Sequence, residues 1–319
     1  MRAITFNKKL AYTDNHSSPT PADGECMLRV HLAGICSTDI QITKGYMEFG
    51  GVLGHEFVAT VTSGSSKWQG KRVACEINCV CRQCDMCQAG LANHCRNRTV
   101  VGISGRDGCF ADAIAVPETN LHEIPEGVSN EEAVFIEPLA AAWQVVRQTA
   151  IDARSRVAVV GSGRLGLLIA QVLRTIDCQL TVVGRNPRTL EFCDKKHIQS
   201  VHVNELVARG DHDLVVECTG SPDGMAIAQS MVRPRGVIAL KSTYAGGGDV
   251  DWAPVVINEI SVVGSRCGPF ADAIASLARG DVDVRSMITK TLPLERGVEA
   301  MELAAHPDHI KVLLKINPA

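Results

Sequence analysis

The stretch Arg156 to Gly166, RVAVVGSGRLG, constrains this chain more than any other. A continuous apolar strand pattern, Arg156 to Val160, runs into Gly161-Ser162-Gly163-Arg164-Leu165-Gly166 and leaves through the apolar helix pattern LGLLIAQVL. Alone, G-x-G-x-x-G is a weak signal. Between a strand and a helix it has the layout of a dinucleotide-binding turn. Its glycines allow close approach to a pyrophosphate, which then sits at a helix N-terminus, where unpaired N–H groups favour an anion. The alternative is a purely structural loop, and five more strand candidates downstream disfavour it. Arg164 fits a solvated loop residue better than a ligand, although with Leu165 it lies inside the turn.

From Arg156 onward, RVAVVG, LTVVG, SVHV, HDLVVEC, GVIALK and ISVVGS are strand candidates, with helical patterns between most of them. That rhythm predicts an α/β fold with a doubly wound parallel sheet. Residues 1–125 differ: MRAITF, MLRVHLAGI, EFVATVTSG, KRVACEI and FADAIAVP are short strand-like runs between Gly, Pro, Asn and Asp, and no helical period holds. Ser129-Asn130-Glu131-Glu132 then signals a helix start. The tail holds helix patterns at 271–279 and 294–305 and a closing strand, IKVLLKI.

The chain has 319 residues, about two domains on size alone. Its net charge of −3, with no clustered Lys or Arg, gives no basis for nucleic-acid or anionic-membrane binding. The start, MRAITFNKKL, has no apolar signal region, and no run is long enough to span a membrane, so a cytoplasmic protein is expected.

Thirteen cysteines is a high count, and six of them crowd between Cys75 and Cys95. Without a secretory signal, clustered thiols favour metal over disulfides. Cys81, Cys84, Cys87 and Cys95 form C-x2-C-x2-C-x7-C, suited to a closed tetrahedral zinc site. Cys75 and Cys79 do not fit the spacing. Elsewhere GICSTD carries Cys36, and GHEF carries His55 and Glu56. One Cys, one His and one carboxylate leave a coordination position open, as catalytic zinc requires, but spacing alone does not decide between that and satisfied structural residues.

Cofactor choice is read about 20 residues past the glycine turn, where an acid binds the ribose hydroxyls of NAD. Here Gly184 stands in its place, followed by Arg185 and Arg188. Lack of a carboxylate removes repulsion of a 2′-phosphate and two guanidiniums can bind one, so NADP(H) is expected over NAD(H). The alternative is a solvated basic turn.

GICSTD, GVLGHEF, the four-cysteine loop, IEPLAAA, VAVVGSGRLG, VECTG and VVGS occur in the order seen in zinc-dependent medium-chain alcohol dehydrogenases. The chain resembles that family over essentially its whole length, and the sorbitol and threonine dehydrogenase branch most, through GHE and EPL. The resemblance implies a β-rich GroES-like catalytic domain, residues 1–138 with 269–319 returning to it, and a Rossmann domain, 139–268. It makes Cys36 and His55 catalytic-zinc ligands, with Glu56 and Glu137 completing or exchanging in the shell, for two zinc ions per chain. It makes Asp39 the residue that orients His55, Thr38 the hydroxyl that takes the substrate proton, Thr219 of VECTG a cofactor neighbour, and Lys311 a basic residue near the cofactor phosphates.

Three departures stand out. A His often found five residues after the ligand Cys is replaced by Gln41, which cannot act as a base at neutral pH. Ala59 stands where the family usually has Gly. Only 18 residues separate Cys36 from His55, fewer than is common, which points to a more open substrate pocket. The resemblance implies hydride transfer between a small-molecule alcohol, of the secondary-alcohol or polyol class, and a carbonyl. A zinc-independent quinone or enone reductase is the first alternative, and a zinc-stabilised binding module the second. ISVVGS would be a sheet edge, and an unpaired apolar edge favours a homodimer or homotetramer.

Overall fold

The structure, a computed structural model, describes residues 1–243 and 249–318. The chain divides into two compact units, Met1–Glu137 with Val284–Ala319, and Pro138–Asp283.

The first unit is built on sheets that are antiparallel except for the parallel pair Ile288–Pro293 and Lys311–Lys315. Its largest has the order Leu121–Glu123, Arg72–Cys75, Glu56–Ser63, Glu25–Gly34, Lys311–Lys315 and Ile288–Pro293, with Ala113–Pro117 also paired to Glu25–Gly34. Inward positions such as Val30, Val58, Val73, Val116, Val312 and Leu314 are fully buried, as β-branched and aliphatic residues on a pleated face should be. Register matters most at one end. Gly34 stands opposite Glu56 on one side and Leu313 on the other, which brings Cys36, His55, Glu56 and Lys311 to the same corner.

Into that corner falls a helix absent from the sequence expectation, Ser37–Thr43. Two turns are too short to show a period. Its start is nonetheless encoded, because Cys36 caps it: the Cys36 side chain accepts from the Thr38 N–H and Asp39 reaches back to the Cys36 N–H at 2.8 Å. This is a capping box with Cys and Asp in place of Ser and Glu.

In the second unit the sheet order is Ser200–His202, Gln179–Gly184, Arg156–Val160, His212–Glu217, Val232–Leu240 and Ser261–Gly264, all parallel. This is the doubly wound arrangement, and the first strand, Arg156–Val160, lies where the order reverses. Val157 to Val160 are buried, which explains their unbroken apolar run. Ser261–Gly264 is the edge strand.

Two boundaries differ from the expected ones. The chain re-enters the first unit at Val284, not at 269, and leaves it at Glu137. Specific ties hold 270–283 in the second unit. Arg147 forks onto Asp272 at 2.7 and 2.8 Å, and the Asp283 N–H donates to Gln171 Oε1 at 2.9 Å. Among the described residues no helix is long and apolar enough to cross a membrane.

Candidate active site

Cys36, His55 and Glu56 each present a ligand atom, and these atoms lie within 4.8 Å of one another. The sequence left Glu56 and Glu137 as alternatives; this cluster contains Glu56. Glu137 lies in the first turn of the helix Ile136–Gln148. His55 and Glu56 are buried, and Cys36 is half-buried. Asp39, fully buried, joins both candidate ligands. One of its oxygens accepts from the Cys36 N–H, and the other faces His55 Nδ1 at 3.3 Å. That second contact lacks hydrogen-bond alignment, and neither atom has another partner. Burial opposes a charged imidazole at His55, yet Asp39 and Cys36 outweigh it and hold its pKa well above the ordinary value. Thr38 Oγ1 lies 3.6 Å from Cys36 Sγ, and Gln41 follows on the same helix.

Lys311 is placed differently from the sequence expectation. Its ammonium is buried and donates to Glu56 Oε2 and to the Ile35 carbonyl, with Nζ 5.5 Å from the Phe135 ring centre. Gly34 leaves room for this pair, since a Cβ there would stand 2.6 Å from Glu56 Oε2 and 2.7 Å from Lys311 Cε. Lys311 is therefore paired with the Glu56 carboxylate.

The four thiols Cys81, Cys84, Cys87 and Cys95 also converge. Cys95 Sγ is 3.5 Å from Cys81 Sγ and 3.8 Å from Cys84 Sγ. Four sulfurs at about 2.3 Å from a tetrahedral zinc stand roughly 3.8 Å apart, so the spacing fits the ion and is far from a disulfide. Backbone N–H groups of Gln83 and Cys84 pull the Cys81 thiol down to about 6, while burial pushes Cys87 up to about 12. Cys75 and Cys79 are buried strand residues outside this group.

At the glycine turn, each glycine has its own reason. Gly161 has φ +115°, and a Cβ there would meet the Cys218 and Thr219 backbone at 2.8–2.9 Å. Gly163, the N-cap of the helix Arg164–Arg174, has open space where its Cβ would be, and a Cβ on Gly166 would lie 1.8 Å from Gly161 O. Tight turn, open approach and close helix–strand packing are the three roles such a motif assigns.

A family model for the alcohol dehydrogenase GroES-like domain matches residues 22–126, and one for the glucose dehydrogenase C-terminus matches residues 130–316. The chain belongs to the zinc-type medium-chain alcohol dehydrogenase family. Within it, the chain sits on the sorbitol and threonine dehydrogenase branch and is an oxidoreductase of that type. The dehydrogenase is 27% identical to 2-dehydro-3-deoxy-L-galactonate 5-dehydrogenase of Pseudoalteromonas atlantica, over 98% of this chain and 97% of that one. It is 28% identical to sorbitol dehydrogenase of Halalkalibacterium halodurans, over 93% of each. A zinc-binding dehydrogenase of Sinorhizobium meliloti, solved bound to NADP, superposes with TM-score 0.88 at 25% identity over 98% of each chain.

In this medium-chain dehydrogenase the end of the strand Gln179–Gly184 is crowded. A Cβ on Gly184 would stand 2.2 Å from Ser162 Oγ, which hydrogen-bonds Thr189 Oγ1 at 2.6 Å. An acidic residue at 184 is thus sterically barred. Arg185 pairs with Asp223 at 3.3 Å, its carbonyl accepts from His202 Nε2, and Arg188 lies in the first turn of the helix Pro187–Lys195. Thr219 donates its N–H and hydroxyl to the buried Glu217 carboxylate at 2.8 and 2.6 Å. The sequence did not single out Glu217, although its bonds to Thr219 lie within VECTG, two residues apart.

Proposed function

We propose that the enzyme interconverts an alcohol, of the secondary-alcohol or polyol class, and a carbonyl. Zinc would be held by Cys36, His55 and Glu56, with a second zinc at the four cysteines and NADP(H) as the preferred cofactor. The convergence of Cys36, His55 and Glu56, tied by Asp39, carries this reading. Relatives named for sorbitol, galactonate and threonine oxidation support the substrate class. A zinc held by Cys36, His55 and Glu56 would supply Lewis acidity, and a bound nicotinamide would supply the hydride chemistry.

The chain's own groups do the rest. Asp39 holds the Nδ1–H side of His55, which leaves Nε2 for the ligand role. Thr38 Oγ1 takes the alcohol proton. Gln41 cannot relay it as a base, so the relay ends at water or at the cofactor ribose. Lys311 balances the Glu56 charge in a buried corner. The same convergence disfavours the metal-independent reductase. A homodimer or homotetramer through the Ser261–Gly264 edge is part of the proposal, supported by exposed Val256 and Ile257 just before it. So is a cytoplasmic location, suited to thirteen cysteines that form no disulfide.

A panel of polyols, secondary alcohols and their ketones with NADP+ or NADPH tests the activity; no turnover with any of them would sink it. Replacing Arg185 and Arg188 by Ala should weaken NADPH roughly tenfold or more, the value of one or two charge-assisted hydrogen bonds, and leave NADH almost unchanged. Equal wild-type affinity for both cofactors would show the basic turn to be mere surface.

The raised His55 pKa gives a further expectation. A proton kept to higher pH competes with zinc, so zinc uptake by metal-free enzyme should release protons and weaken as pH falls. Calorimetry in buffers of different ionisation heat measures this, and a buffer-independent heat would contradict it.

A further inference from the structure

His55 lies in the short link between the strands Gly51–Val52 and Glu56–Ser63, outside any helix or strand. Its Nδ1 faces Asp39 without hydrogen-bond alignment, so the ring goes where the backbone puts it. Cys36 is carried by a different element, the start of the helix Ser37–Thr43. The two ligand atoms stay together only if the link keeps its place.

That link is held on two sides. The carbonyls of Val52, Leu53 and Gly54 accept from the N–H groups of Gly108, Phe110 and Cys109, at 2.7, 2.9 and 2.9 Å. Gly102 stands on a second side. A Cβ on Gly102 would lie 2.2 Å from Gly54 O and 2.8 Å from Gly54 C and N. A Cβ on Gly108 would lie 2.3 Å from Gly54 O and 2.4 Å from Leu53 O. A carbon normally rests about 3.3–3.6 Å from a carbonyl oxygen, so either methyl calls for a displacement of about 1 Å. Gly102 is itself tied down. Its N–H donates to Arg106 O at 3.1 Å, and the Val101 N–H donates to Ile77 O at 3.0 Å. The strand Thr99–Val100 before it pairs with Asn78–Cys79. Part of any displacement therefore falls on Gly54, and with it on His55.

We propose that Gly102 and Gly108 are positioning residues for the zinc site, bare Cα atoms that seat the Gly54 peptide and so aim His55 at Cys36 and Glu56. This rests on the zinc site proposed above. Neither glycine is a ligand; each acts through the peptide ahead of one. A ligand has to be held within about 0.5 Å of its productive place, so a shift of this size is costly. The alternative is a pair of packing glycines, whose replacement lowers stability and leaves zinc affinity alone.

Zinc retained per chain by the intact zinc-loaded protein, measured against rising EDTA, separates the two. The phase that belongs to Cys36, His55 and Glu56 is the one missing in Cys36→Ser. In Gly102→Ala and Gly108→Ala that phase should show zinc affinity lowered roughly tenfold or more, the usual effect of disturbing the groups behind a ligand. The four-cysteine phase should stay. Gly105→Ala is the control: φ is +64° there against +63° at Gly102, but a Cβ on Gly105 meets only the Thr99 side chain, at 3.2 Å. It carries the same backbone strain without the contact, and should hold zinc as the wild type does. Gly108 is outside the left-handed region, so Gly108→Ala makes the contact without that strain. It keeps the test open if Gly102→Ala does not fold. Lowered stability in these variants with an unmoved phase overturns the proposal. So does a Gly105→Ala variant that weakens zinc as far as Gly102→Ala. A wild type whose only phase matches that of Cys36→Ser would refute the zinc site itself, not the seat.

Discussion

Cys36→Ser should cut turnover at least about a thousandfold, because Lewis-acid stabilisation is worth several kcal/mol and each ~1.4 kcal/mol is tenfold. The fold should survive. The Cys36 side chain caps the helix Ser37–Thr43 by accepting from the Thr38 N–H at 3.4 Å, and a serine hydroxyl is at least as good an N-cap acceptor. Asp39 keeps its bond to the backbone N–H of residue 36, which the substitution does not touch. Steady-state kinetics and a thermal melt together test this. Near-normal turnover in a folded variant would remove Cys36 from the mechanism.

In metal-free protein, Lys311→Met is expected to cost about 3–5 kcal/mol of stability, the usual penalty for leaving one partner of a buried ion pair alone. Both side chains of the Lys311–Glu56 pair are 2% exposed, so water cannot take over the lost ammonium. The Gly34 gap that accommodates the pair leaves Glu56 no other cation in the described contacts of its Oε2 atom. Adding Glu56→Gln should recover part of the loss by removing the stranded charge. Denaturant titration of the two single variants and the double variant closes the cycle. Additive losses would mean that the two groups are not coupled.

The nucleotide-binding unit was the most legible part of the chain. Buried parallel strands produce unbroken apolar runs, and all six strand candidates from RVAVVG to ISVVGS correspond to strands. The strand–turn–helix order also located the glycine turn without any long-range information. The four-cysteine loop was legible for a similar reason, since its thiols converge from 15 consecutive residues, Cys81 to Cys95.

What long-range contacts decide was harder to read. The helix Ser37–Thr43 left no period, and only its Cys36–Asp39 cap marked it. The resemblance placed the return into the first unit at 269, and no sequence pattern shows that Asp272 pairs with Arg147, 125 residues earlier. Sequence does not show that sheet register sets Lys311 beside Glu56. That Ser162 Oγ crowds the place of a Cβ on Gly184 does not show in the sequence.

Anomalous diffraction at the zinc edge, on crystals of enzyme purified without chelator, tests the central claim most directly. One peak is expected among Cys81, Cys84, Cys87 and Cys95 and another between Cys36, His55 and Glu56, the second vanishing in Cys36→Ser. A wild-type peak confined to the four cysteines would contradict zinc-dependent alcohol chemistry and favour the metal-independent reductase.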